Sequence, residues 1–205
     1  MLSRIPSSVR SVASARPWLL CAGIALQASG LLAQSAGDMP AMMARAASHD
    51  AVRQAFAALE RDNAWTLDQQ VSLCEIPAPP FKETARGLAF RDRLLALGVQ
   101  QVRIDREGNV IGEVRGSSAG PTVVLSGHLD TVFPEGTDVK VKRVGTRYSG
   151  PGIGDDCRGL AVTLATVRQI ITQRIPFAGR LLVVATVGEE GPGNLRGVRA
   201  LFRSP

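Results

Sequence analysis

The sequence predicts an α/β fold, a sheet flanked by helices, and three observations lead there. Two short apolar runs, one opened by Pro121 (TVVLSGHLD) and one starting at Leu181 (LLVVATVGEEG), each stop abruptly at charged residues, as strands of a buried sheet do. Between them, residues 156–174 supply a helix long enough to connect two strands of one sheet. Ahead of them, residues 99–105 and 109–115 alternate around Arg106-Glu107-Gly108, the pattern of a hairpin. With 205 residues, 45% hydrophobic and 20% charged, the chain can bury one real core.

Residues 1–33 carry three arginines and no acid, and end in the 17-residue apolar stretch PWLLCAGIALQASGLLA before polar QSAGD. This reads as an export signal, so the mature protein is expected in the periplasm or outside the cell. As a helix the stretch would span about 25 Å, short of the roughly 30 Å hydrocarbon core, which favours cleavage over a retained anchor. Residues 34–49, rich in Ala and Met, are expected to be a flexible mature N-terminus, and residues 50–205 the folded body. Residues 50–73 contain no proline and fit one or two helices, which Ile76-Pro77-Ala78-Pro79-Pro80 stops. From Glu83, ETARGLAFRDRLLALG places Leu88, Leu94, Leu95 and Leu97 on or near one helical face, with Gly98 just past the C-cap. Only Cys74 and Cys157 would outlast signal removal. Their number and spacing mark neither a disulfide-dense scaffold nor a metal cluster, and both are expected to be buried thiols.

Charge excludes one class of function. The chain has 24 Lys and Arg against 18 Asp and Glu; without Arg4, Arg10 and Arg16 that becomes 21 against 18, a net +3. The excess is scattered and is not interleaved with aromatics, so nucleic-acid binding is not expected.

The chemistry-bearing residues gather where the apolar runs end, and open α/β sheets place ligands beyond the carboxyl ends of their strands. His128 and Asp130, two apart in an extended segment, project to one side, so the carboxylate can orient the imidazole as a metal-bound histidine requires; taken alone, the pair is equally a surface His that stands near an Asp by chance. The loop Gly150-Pro151-Gly152-Ile153-Gly154-Asp155-Asp156 turns tightly and offers two hard carboxylates. Either could instead cap the helix beginning near Cys157. Glu189-Glu190 places two repelling carboxylates at a strand end, an unfavourable arrangement unless a cation sits there or the loop is simply solvated. In that setting one Glu can be a ligand and its neighbour a general base.

Taken together, HxD, GxGxxDD and GEEG resemble a metallopeptidase family. It is the group that includes acetylornithine deacetylase, succinyl-diaminopimelate desuccinylase, aminoacylase, glutamate carboxypeptidase and tripeptidase T. The likeness runs from about Trp65 to Pro205 through CEIPAPP, ALGVQQVRIDREGNVIGEV, VVLSGHLDTVFP, YSGPGIGDDCRGLA and VVATVGEEGPGNLRGVRALF. It implies a co-catalytic zinc exopeptidase-like catalytic domain holding two zinc ions, with cobalt or manganese as substitutes. By this resemblance His128 is a terminal ligand of one zinc, Asp155 bridges both and Glu190 is a terminal ligand of the other. Asp130 orients His128. Glu189 is the general base that takes a proton from the attacking water and returns it to the leaving amine. The implied substrates are small peptides or N-acyl amino acids.

The family's further acidic ligand, its final histidine and the inserted domain through which full-length relatives often form homodimers are expected to be absent. The ligand set would then be incomplete and activity impaired. Two other readings stay open: an aminopeptidase of the leucyl aminopeptidase and glutaminyl cyclase group, and a non-catalytic remnant that only binds.

Overall fold

The computed structural model describes residues 39–203; the expected export signal, residues 1–33, lies outside them. Within the stretch expected to be loose, Met39–Ser48 form a helix, α1, with no buried residue. Alanine and methionine are strong helix formers, which compositional looseness had hidden.

Two helices, α2 (Asp50–Arg61) and α3 (Asn63–Cys74), follow, the first capped by the His49 side chain, which accepts from Ala51 N–H. Helix α4 spans Thr84–Ala96 and ends before Gly98, whose φ of 83° suits the left-handed residue past a C-cap. Its buried face takes in only part of the leucine set expected from the sequence: Leu94 is fully buried and Leu97 packs against the core. Arg86, Gly87, Phe90 and Leu94 are buried, while Leu88 and Leu95 face outward, because the core selects the 86/90/94 stripe.

The hairpin is present as β1 (Gln100–Ile104) and β2 (Val110–Arg115), antiparallel with Ile104 opposite Val110. β3 (Ser118–His128) then runs to the first cluster of polar residues, and a small two-stranded sheet of β4 (Lys142–Val144) and β5 (Arg147–Ser149) leads into the glycine-rich loop. Helix α5 (Cys157–Thr172) connects to β6 (Ala178–Thr186), which pairs parallel with β3 and antiparallel with β2. The four-stranded order is β1-β2-β6-β3. A short helix, α6 (Arg196–Leu201), follows.

Phe90 and Leu94 of α4, Leu160, Leu164 and Val167 of α5 and Leu73 of α3 join one core with Val110, Leu181, Val183 and Ala185, the alternate residues that share one face of β2 and β6. Ile111, Val184 and Thr186 point the other way and are also buried, so these strands are covered on both faces. β3 corrects an expectation: it was read as buried, yet Val123 and Val124 on its opposite faces are 55% and 41% exposed. An apolar run reports what a strand can bury, not where in the sheet it sits.

A second correction concerns the cysteines. Cys74, at the end of α3, and Cys157, at the start of α5, form a disulfide with a Cα–Cα distance of 5.4 Å. Closing a separation of 83 residues, such a bridge is worth on the order of 4–5 kcal/mol in the chain-entropy picture. Two cysteines so far apart in sequence carry no pairing signal.

Candidate metal centre

β3 and β6 lie side by side and parallel, with His128 opposite Thr186, so their carboxyl ends deliver side chains to one place. His128, Asp155 and Glu190 converge there, each offering a ligand atom within 4.8 Å of the others. His128 Nε2 lies 2.9 Å from Asp155 Oδ1 and 4.0 Å from Glu189 Oε2. Asp155 is largely exposed, Glu189 is partly so, and the imidazole is mostly enclosed. Among the expected site residues, only Asp130 stands back from the opening.

Asp130 is fully buried, and its carboxylate does something other than hold the ring. Its two oxygens accept the backbone N–H groups of Glu189 and Glu190, each at 2.9 Å, stitching the end of β3 to the loop after β6. His128 Nδ1 meets the backbone carbonyl of Asp130 at 3.0 Å and its carboxylate only at 3.7 Å. The spacing of two puts the residues together, while the chain's turn at Asp130 sends the side chain across to the neighbouring loop. Burial raises the Asp130 pKa, but the adjacent His128 imidazole and the hydrogen bonds from the two amides outweigh it and hold the carboxyl below its usual range.

Asp155 and Asp156, joined by a cis peptide bond, have separate tasks. Asp155 faces the opening. Asp156 is the N-cap of α5: Oδ1 accepts from Gly159 N–H and Oδ2 from His128 N–H, both at 2.9 Å. A Cβ at Gly127 or Gly159 would come within 2.7 Å or 2.0 Å of that carboxylate, which explains glycine at both positions. Burial pushes the Asp156 carboxyl upward.

The electrostatics favour a cation. Burial opposes charge on His128, but hydrogen bonds to Asp130 and Asp155 and the charges of Asp156 and Asp130 raise its pKa to about 9. Burial and the charge of Asp155 push Glu190 upward. A carboxylate destabilised by its neighbours is relieved by a bound positive ion.

Sequence reasoning missed the residues beneath the site. Arg86 is fully buried and donates to the carbonyls of Ile76, Cys74 and Leu129; burial lowers its pKa to about 10 despite the nearby Asp130 charge. Glu83 accepts from Gly188 N–H and pairs with Arg196, fixing the backbone before Glu189. Asn109 accepts from Val187 N–H and donates to Gly197 O. Two of these had a signal: Asn109 in the Asp105-to-Asn109 turn, and Arg86 as a charged residue on an apolar helix face.

Residues 124–204 match the model of peptidase family M20/M25/M40. Over this stretch the chain is similar to the M20 peptidases. Carboxypeptidase G2 of Pseudomonas sp. (strain RS-16) is 34% identical over 84 residues, 40% of this chain and 20% of that protein. Aminopeptidase PepT from Bacillus cereus ATCC 10987 has a TM-score of 0.57 at 25% identity, over 66% of this chain and 38% of its own. A tripeptidase from Staphylococcus aureus has a TM-score of 0.55 at 25% identity, over 68% of this chain and 40% of its own. The chain therefore spans about a fifth of that curated relative and about two fifths of these two structures. The M20 likeness includes all of the residues that converge at the opening.

Proposed function

We propose that this chain is the metal-binding part of a hydrolase that cleaves amide bonds in small peptides or N-acyl amino acids. The observation that carries this is the convergence of His128, Asp155 and Glu190 from three separate segments, with Glu189 beside them. One imidazole and two carboxylates match the donors that zinc takes, and cobalt or manganese accept the same set. His128, Asp155 and Glu190 would hold the zinc, with Asp155, between the other two in the expected ligand set, shared where two ions bind. Bound zinc would supply Lewis-acid polarisation of the scissile carbonyl.

The chain's own residues do the rest. Glu189 takes a proton from the attacking water and passes it to the leaving amine. Asp130 keeps Glu189 and Glu190 in place through their backbone amides, and Asp156 keeps His128 in place through its own. Calorimetric zinc titration tests the reading: binding in the wild type, lost in His128→Ala and Asp155→Ala, supports it. Hydrolysis of dipeptides or N-acyl amino acids that Glu189→Gln abolishes without loss of zinc would extend it to catalysis. A folded chain that takes no zinc removes it and leaves a non-catalytic binding role.

We also propose export. The Cys74–Cys157 disulfide supports it, since such bonds persist in oxidising compartments. Among the described residues no helix is long and apolar enough to cross a membrane. Recovery of the protein only from the cytosolic fraction would overturn the export reading.

A further inference from the structure

We propose that the Cys74–Cys157 bridge is a brace for the metal-binding loop, setting the position of Asp155 and with it metal affinity. This rests on the metal-centre reading above. Cys157 follows Asp155 by two residues and opens α5, whereas Cys74 ends α3. The bridge thus fastens the end of the loop Gly150–Asp156 to a helix from a distant part of the chain.

Besides the bridge, the loop is held at its end by Asp156, whose carboxylate accepts from His128 N–H and Gly159 N–H, and its remaining contacts are few. Inside it, Ile153 N–H donates to Gly150 O at 3.2 Å, and Cys157 N–H reaches back to Gly152 O at 3.3 Å. Asp155 is 79% exposed, and its side chain meets His128 alone. Nearer its middle the hydrogen-bonded anchor comes from α3, where Gln70 Nε2 donates to Ile153 O at 2.6 Å; the Cys74 sulfur, without a proton in the disulfide, only touches Pro151 O at 3.3 Å. Gln70 is itself oriented by Arg158 of α5, which donates to its Oε1. The bridge and the Gln70 bond therefore act as two pins along one side of the loop, one at its end and one near its middle.

The pin is built to stay closed. Both cysteines are fully buried. Arg86 fixes the Cys74 carbonyl from below while also binding Leu129 O, next to His128. One buried guanidinium thus ties the helix end that carries the bridge to the strand end that carries the histidine. Errors of about an ångström in donor placement are what supporting residues around a metal prevent, and their loss typically costs 10–100-fold in affinity.

The test compares the full chain carrying Cys21→Ala with the same chain carrying Cys74→Ala and Cys157→Ala as well, so that only the bridge differs. Amide exchange of residues 150–156 is read without metal, at labelling times short enough for β2 and β6 to stay protected in both chains. The brace predicts roughly tenfold faster exchange confined to the loop, a smaller loop-confined rise for Gln70→Ala with the bridge intact, and zinc affinity lowered by about tenfold or more. Equal loop exchange in both chains overturns the proposal. So does loss of protection in β2 and β6 at every labelling time, which would make the bridge a staple for the whole fold. Absence of zinc binding in the bridged chain would sink the metal-centre reading, while loop exchange still decides the brace.

Discussion

β3 and β6 are neighbours in one sheet, parallel and in register, and their sequences share one design: an apolar run that ends in acids. Their surroundings are opposite. Val183, Val184 and Ala185 of β6 are buried between β2 and β3 and on both faces. Val123 and Val124 of β3 are exposed, and among the described residues β3 pairs on one side only. Two strands with the same local chemistry can thus differ almost completely in how much they stabilise the fold, while both deliver functional groups from their carboxyl ends.

The strongest test of that contrast is Val183→Asp, which places a charge where nothing can solvate or pair it. A loss above about 4 kcal/mol, enough to unfold a marginal domain, is expected in urea titration. A folded Val183→Asp chain would show that β6 is less enclosed than its burial implies.

The strand ends come next. Asp130→Ala removes the carboxylate that joins the end of β3 to the Glu189-Glu190 amides, leaving two N–H groups without that partner. A loss of about 2–4 kcal/mol is expected, together with weaker zinc binding. If thermal unfolding is unchanged, the two ends are held together by something else.

A smaller, pH-dependent difference belongs to His128. Its folded pKa of about 9 lies above its usual 6.5, so the folded state holds the proton more tightly. In the metal-free chain this contribution is fully present below about pH 6.5 and is lost as pH rises through about 9. His128→Asn should flatten that decline. Zinc competes with the same proton, so affinity should rise with pH over this window. A stability profile that is flat from pH 6 to 9, measured by urea titration, would contradict the His128 environment.

The mildest change is expected on β3 itself. Val123→Thr and Val124→Thr replace exposed methyl groups and should alter stability by no more than about 0.5 kcal/mol. Light scattering should also report less self-association, because an exposed apolar edge strand invites pairing. Destabilisation as large as for a buried valine would mean that β3 is covered in solution.

Much of the architecture was legible locally. The hairpin around Arg106-Glu107-Gly108, the proline stop after α3, the glycine past α4 and the helix between the two apolar runs each depend on a turn residue, a cap or a period. The candidate site was legible in part: His128, the two aspartates and the two glutamates sit at element boundaries that the α/β order brings together, while the choice of Asp155 and Glu190 within those pairs came from the family resemblance.

By itself, the sequence determined the order of elements and the positions of the acids and the histidine, because these follow from short-range periodicity and turn chemistry. Only the tertiary structure decided which face of α4 is buried, that β3 lies at an exposed edge, that Cys74 meets Cys157, and that the Asp130 carboxylate also binds the neighbouring loop. The physical reason is common to all four. Each depends on which distant segment packs alongside, and no local pattern encodes the identity of a neighbour brought in from elsewhere in the chain.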